Sequence, residues 1–242
     1  MSNTNAAPVA LFAYRRPEHL RRAVLSLAAN PQAAATDLHV FCDGPRGQRD
    51  EADVQAVREV ARGIEGFQSL TLIEQDRNRG LAESIIAGVS QVVEARDRVI
   101  VVEDDLVLSP YFLAFMNQAL ERYADEARVA SVHGYVFPVR HALPENFFLK
   151  GAECWGWATW RRAWRRFDAD AADLLRQIRE RGLAYEFDLD GSYPYTAMLE
   201  NHLQGRVDSW AIRWRASCYL ADMLTLYPGR SLVQNRGLDG TG

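Results

Sequence analysis

The stretch Arg98-Val99-Ile100-Val101-Val102-Glu103-Asp104-Asp105 (RVIVVEDD) joins the most hydrophobic run of the chain directly to three carboxylates. Four β-branched residues in a row, with no polar alternation, read as a strand buried on both faces. Such strands belong to parallel sheets, which carry helices on either side. The segments ahead of it repeat the pattern. Pro8–Ala13 (PVALFA), Leu38–Cys42 (LHVFC) and Leu70–Glu74 are short apolar runs bounded by polar turns. Between them, Glu18–Ala29, Asp50–Arg62 and Leu81–Glu94 place apolar residues at helical spacing, as in Leu20, Val24 and Leu27. Strand and helix alternating up to Asp105 predict an α/β fold, a mostly parallel sheet flanked by helices.

In such sheets ligands sit outside the carboxyl ends of the strands. Those ends hold Arg15-Arg16, Asp43-Gly44, Asn78 to Gly80, and Glu103 to Asp105. Adjacent carboxylates repel and resist desolvation, so three together call for a counter-charge. A divalent cation supplies one, because Asp oxygens are hard ligands suited to Mg2+ or Mn2+ and substrate phosphates complete the shell. The alternative is a solvated acidic turn ahead of the helix expected over Pro110–Tyr123. Arg15 and Arg16 precede a helix start, where a guanidinium fork and helix N–H groups together suit a diphosphate. Asp43 is placed either to accept from a nucleobase or ribose, or simply to make a turn.

The second half is less regular. Val129–Val132 reads as a strand, Asp170–Arg181 and Tyr195–Leu203 as helices, and Val207–Trp214 as a short strand. Trp157, Trp160 and Trp164 stand at i, i+3 and i+7, the spacing of a core-facing helical stripe. Trp155 and Trp157 flank Gly156 and are candidates for an aromatic platform under a sugar ring. No repeat or linker forces a second domain.

Composition narrows the function. The chain has 242 residues, a net charge of −4 and a pI near 5.8, which disfavours a general nucleic-acid binder. No apolar run is long enough to cross a bilayer, and no signal-peptide pattern is present. A cytoplasmic setting follows, including the inner face of the membrane. The three cysteines are widely spaced, with no CxxC pair, which argues against a disulfide framework or structural zinc. Lys150 is the only lysine among 28 basic residues, so nearly all positive charge is guanidinium. Without GxGxxG after the first strand or GxxxxGK[ST] anywhere, a dinucleotide oxidoreductase and a P-loop NTPase are disfavoured.

Val101–Phe112 (VVEDDLVLSPYF) closely resembles the metal-binding segment of N-acetylglucosaminyltransferase I and its relatives, inverting glycosyltransferases of the GT-A fold. Phe12–Val24 (FAYRRPEHLRRAV) resembles their first strand and phosphate-binding turn, and Phe41–Gly47 (FCDGPRG) their second strand. Asn78–Val89 (NRGLAESIIAGV) resembles the corresponding helix start of prokaryotic family-two sugar transferases. Cys154–Trp164 (CWGWATWRRAW) resembles the acceptor-side Gly-Trp segment, and Asp208–Trp214 (DSWAIRW) the segment bearing the catalytic base.

The resemblance implies that Asp105 binds the metal, Asp104 the ribose or water around it, and Glu103 the donor sugar hydroxyls. Tyr14 and Asp43 would border the base and Arg16 the phosphates, with Arg79, Gly80 and Ser84 also on the nucleotide sugar. Ser84 stands where eukaryotic relatives place a histidine. Trp155, Gly156 and Trp157 would form the acceptor platform, and Asp208 would be the general base. The expectation is a single GT-A domain over residues 1–242, with a nucleotide-sugar half (1–105) and an acceptor half (106–242). Its activity would be metal-dependent, inverting transfer of a hexose or N-acetylhexosamine from a nucleoside-diphosphate sugar, a UDP-sugar favoured. The acceptor would be a glycan or lipid-linked glycan in bacterial surface polysaccharide synthesis, with peripheral membrane association left open. A sugar-nucleotidyltransferase and a non-catalytic nucleotide- or glycan-binding module remain as alternatives. Relatives continue past Asp239-Gly240-Thr241-Gly242 with a histidine-bearing segment near the metal, so the end is either native or truncated.

Overall fold

A computed structural model of the protein describes residues 6–240. Strands β1 (Val9–Ala13), β2 (Asp37–Cys42), β3 (Ser69–Glu74) and β4 (Arg98–Glu103) run parallel in the order β3-β2-β1-β4. They alternate with helices α1 (Pro17–Ala28), α2 (Glu51–Arg62) and α3 (Leu81–Arg96). Pro17 opens α1, where its missing N–H costs nothing. From β1 the chain steps outward to β2 and β3, then returns to lay β4 on the other side of β1. That reversal opens a crevice beyond the carboxyl ends of β1 and β4. Phe12 pairs with Glu103 in register, so Tyr14 and Asp104 follow side by side at its mouth.

The chain continues through β5 (Leu106–Leu108), α4 (Phe112–Arg122), β6 (Val129–His133), β7 (Asn146–Lys150) and β8 (Trp157–Trp160). It goes on through α5 (Arg161–Trp164), α6 (Ala171–Glu180), α7 (Ala184–Phe187) and α8 (Tyr195–Leu203). Helix α9 (Trp210–Leu220) and strands β9 (Leu224–Pro228) and β10 (Val233–Asn235) complete it. The sheet extends in mixed sense as β4-β8-β6-β9-β7, and β10 pairs antiparallel with β5.

Every residue of β1 is buried because both faces are covered. Leu11, Ile100 and Val102 pack with Leu20 and Leu27 of α1 and with Phe112 and Met116 of α4. On the other face Phe12, Val99 and Val101 pack with Ile85 and Val89 of α3 and with Trp210 and Trp214 of α9. Helices α6 to α8 close over the outer side of α9 around Leu175, Phe187, Leu199 and Ile212.

Two expected elements are corrected. Trp157, Trp160 and Trp164 do not form one helical stripe, because Trp157–Trp160 is strand β8. An i, i+3 pair in a strand points to opposite faces. Trp160 accordingly packs against the α1/α4 side, donating its indole N–H to Leu120 O at 3.0 Å, and Trp157 packs toward α9. The segment expected as a strand over Val207–Trp214 instead starts helix α9. Ser209 caps it, its Oγ accepting from Ile212 N at 3.3 Å. Nearly every residue of α9 is buried, so no polar face marks its period.

Candidate active site

The crevice beyond β1 and β4 is a cleft of about 310 Å³. It gathers Tyr14, Arg16, Asp43, Gly80, Ser84, Glu103 and Asp104, expected at the nucleotide sugar, together with Asp105, expected at the metal. It also takes in Asn78, one of the polar strand-end residues, and four that the sequence did not single out: Phe12, Phe41, Arg46 and Gly237. Phe12 and Phe41 stack at 4.9 Å and form an apolar floor. Alternation on β1 and β2 was the available signal, since it sends both rings to the face under α3.

At the end beside β4, one Arg16 Nη2 donates to Asp104 Oδ1 at 2.7 Å and to Asp105 Oδ2 at 2.9 Å. Burial works against the Arg16 charge, but Asp104 and then Asp105 outweigh it and raise its pKa above the ordinary value. Burial also pushes the Asp104 carboxyl up, opposed by Arg16. Glu103, pressed by burial, Asp105 and Asp104 in that order, is pushed up to about 8. Asp104 and Asp105 around one guanidinium leave negative charge unmatched even with Glu103 protonated, and their oxygen donors fit a hard divalent cation. Among the described residues there is no cluster of three or more His, Cys, Asp or Glu placed to hold a metal. An ion held here would take one or two carboxylates from the chain and its remaining ligands from elsewhere.

The carboxyl-terminal segment walls this end. Strand β10 lies on β5, Arg236 N donates to Asp105 O at 2.8 Å, and Gly237 rests on the Asp105 side chain. A Cβ at Gly237 would stand 2.1 Å from Asp105 Oδ2, so a side chain there would have to displace the Asp105 carboxylate. Asp239 then pairs with His19 Nε2 at 3.1 Å, across the start of α1.

At the opposite end Asp43 holds the turn ahead of α3. Its Oδ1 accepts from Gly44 N and Arg79 N, both at 2.9 Å, and its Oδ2 from Asn78 Nδ2 at 2.9 Å and Gly80 N at 3.0 Å. These four bonds fill the lone-pair sites of a carboxylate, so Asp43 is a strut of the cleft before it is a contact for any base. Arg79 contributes its backbone N–H, whereas its side chain reaches Glu83 at 3.7 Å and lines a small side cavity. Ser84 Oγ is buried at the junction of cleft and side cavity, with no hydrogen-bond partner among the described residues. The Tyr14 hydroxyl donates to Asp50 Oδ2 at 2.5 Å, which fixes the ring at the cleft edge.

The acceptor-side expectations divide. Trp155 lines a second, wider groove of about 1310 Å³, packed edge-on against Tyr135 at 4.8 Å and beside Phe137 at 6.0 Å. Trp157 is not part of a platform. It is fully buried and stacked on Trp210 at 5.4 Å. Gly156, at φ +66°, turns the chain between them, sending one indole to the groove and the other to the core. Asp208 lies outside the lining of the β1/β4 cleft, in the turn before α9, with 67% of its side chain exposed. His202 Nδ1 stands 3.8 Å from its Oδ1 and Arg213 Nη2 3.5 Å.

A parallel sheet with its crevice at the β1/β4 reversal, acidic at the end of β4 and followed by a mixed sheet, is the GT-A arrangement of glycosyltransferases. The chain belongs to the glycosyltransferase-like family 2, whose sequence pattern matches residues 7–173. Solved structures similar to it include the mannosyltransferase PcManGT from Pyrobaculum calidifontis in complex with GDP-Man and Mn2+. That match has 17% identity and a TM-score of 0.39, and covers 52% of this chain and 34% of the other. S. aureus TarS matches at 16% identity and a TM-score of 0.37, covering 52% of this chain and 20% of that one. TarS 1-349 in complex with UDP-GlcNAc matches at 17% identity and a TM-score of 0.36, covering 55% and 36%. The chain thus spans about a third or less of the length of the mannosyltransferase and of TarS. No curated protein matches it. Among the described residues no helix is long and apolar enough to cross a membrane.

Proposed function

We propose that this chain transfers a hexose or N-acetylhexosamine from a nucleoside-diphosphate sugar to an acceptor hydroxyl, with inversion and with the help of Mn2+ or Mg2+. The observation that carries the reading is the cluster of Arg16 with Asp104 and Asp105 at the β1/β4 crevice, in a chain of this family. Asp105 would hold the cation, and Asp104 beside it the ribose or water around that ion. When bound, it neutralises charge on the departing diphosphate. Arg16 is the protein's own cation for that charge, and release from the two carboxylates frees its fork for a phosphate. Glu103 is placed beside them to meet donor sugar hydroxyls, and the Phe12–Phe41 floor with Tyr14, Asn78 and Ser84 borders the nucleoside. By the resemblance of its EDD segment, a UDP-sugar is the favoured donor.

The acceptor enters from the Trp155 side. Asp208 takes the proton of its hydroxyl, the oxygen bonds to the anomeric carbon, and the bond from that carbon to the diphosphate breaks. One displacement of this kind inverts the centre. A wide groove lined by aromatic rings suits a glycan or a lipid-linked glycan of the bacterial surface, assembled at the inner face of the membrane. The test is nucleotide release from UDP-GlcNAc and GDP-mannose with Mn2+, with and without glycan acceptors. Asp105→Asn and Asp208→Asn are each expected to lower the rate by about 10²-fold or more, the usual weight of such groups. Full activity in both variants would contradict the roles.

A further inference from the structure

Residues 151–156 connect β7 to β8 and carry Trp155 to the wide groove. The loop is tied at its start, where Gly151 N donates to Met223 O at 3.0 Å, and at its end, where Gly156 O accepts from Gly134 N at 2.7 Å. Between these ties Glu153 reaches two helices. Its Oε1 accepts from the Tyr195 hydroxyl of α8 at 2.8 Å and from Arg215 Nη1 of α9 at 2.6 Å. The Arg215 guanidinium also stands 3.7 Å from the Tyr195 ring centre. Only 4% of the Arg215 side chain is exposed, and its Nε and Nη2 have no hydrogen-bond partner among the described residues. A buried guanidinium satisfied this sparingly depends heavily on the one carboxylate that pairs with it.

The same two helices frame Asp208. Ser209 N donates to His202 Nδ1 of α8 at 3.3 Å, and Trp210 of α9 stacks on Trp157, the residue after the loop. None of these residues lines the donor cleft. We propose that Glu153, Tyr195 and Arg215 form a positioning clamp that sets the Trp155 loop against the Asp208 turn, and so fixes how an acceptor meets the base. The proposal rests on the roles given above to Trp155 and Asp208. The three residues touch neither donor nor acceptor; they act through the two segments they join.

Glu153→Gln keeps the side-chain shape and removes the charge that faces Arg215, while Tyr195→Phe removes a single hydroxyl. The probes are hydrolysis of UDP-GlcNAc and of GDP-mannose with Mn2+, water serving as acceptor. Glu153→Gln is expected to lower kcat about tenfold and leave the donor KM within about twofold, the signature of a role outside donor binding. Tyr195→Phe gives the same split at smaller amplitude and decides the matter if Glu153→Gln does not fold. Glu153→Gln combined with Asp208→Asn should be no slower than Asp208→Asn alone, because residues acting as a unit are not additive. Amide exchange should quicken in 151–156 and 207–210 and stay unchanged in 78–84. An unchanged kcat, additive losses, or exchange confined to the loop would overturn the clamp. If Asp208→Asn keeps the wild-type rate, the reading of the base fails instead, and the exchange pattern alone decides the clamp.

Discussion

Asp43 shows how one side chain organises the β1/β4 cleft. Four N–H groups converge on its two oxygens and bind the turn Asn78–Gly80 to the end of β2. Asp43→Asn replaces one acceptor oxygen with an NH2 group that faces N–H donors. The expected cost is about 1–3 kcal/mol for the groups left unpaired, read as a lower urea midpoint at unchanged slope, with weaker nucleotide binding. Gly237→Ala places a methyl against Asp105, so Mn2+-dependent nucleotide affinity should drop about tenfold, a cost of the size seen for overpacked sites. Equal affinity would show that the segment does not close on Asp105. His133 supplies a pH test. Burial drives its ring down to about 3, whereas the unfolded chain protonates near 6.5. Through that window the unfolded chain binds the extra proton, so stability falls as pH drops from 6.5 toward 3. Urea midpoints of His133→Leu should decline less over that range than those of the parent chain, and parallel declines would contradict the assignment.

At the scale of elements, the helix that positions Asp208 depends on its cap. Ser209→Ala removes the acceptor for Ile212 N and should cost about 1 kcal/mol. The melting temperature should drop, and kcat with it, while donor KM holds. A kcat equal to that of the parent would separate the Asp208 turn from the chemistry. The same helix marks where sequence reading stops. Strands β1, β2 and β4 are legible because each is a short apolar run between polar turns, and α1 to α3 because one face of each is wet. Helix α9 is buried around its whole circumference, so DSWAIRW offers no period to read. In β8 the tryptophan spacing copies a helix by coincidence, and only pairing with β4 and β6 shows it to be a strand. Strands β7, β9 and β10 are defined by partners far along the chain, a relation that local pattern does not carry.

Across the whole molecule, the β1/β4 reversal brings together side chains from the strand ends, which is why the lining of the cleft can be read from their positions. Trp155 lines the wide groove while Trp157 is buried in the core, because one left-handed glycine redirects the chain between them. Gly237 lies more than 130 residues beyond Asp105 and enters the cleft only because β10 pairs with β5. The central claim is that this crevice binds a nucleotide sugar together with a divalent cation. Thermal denaturation with UDP-, GDP-, dTDP- and CMP-sugars, each with and without Mn2+, tests it most directly. At least one nucleotide sugar is expected to raise the melting temperature only when Mn2+ is present, and Asp105→Asn to abolish the rise. No shift with any sugar nucleotide, or a shift indifferent to both Mn2+ and Asp105, would contradict it.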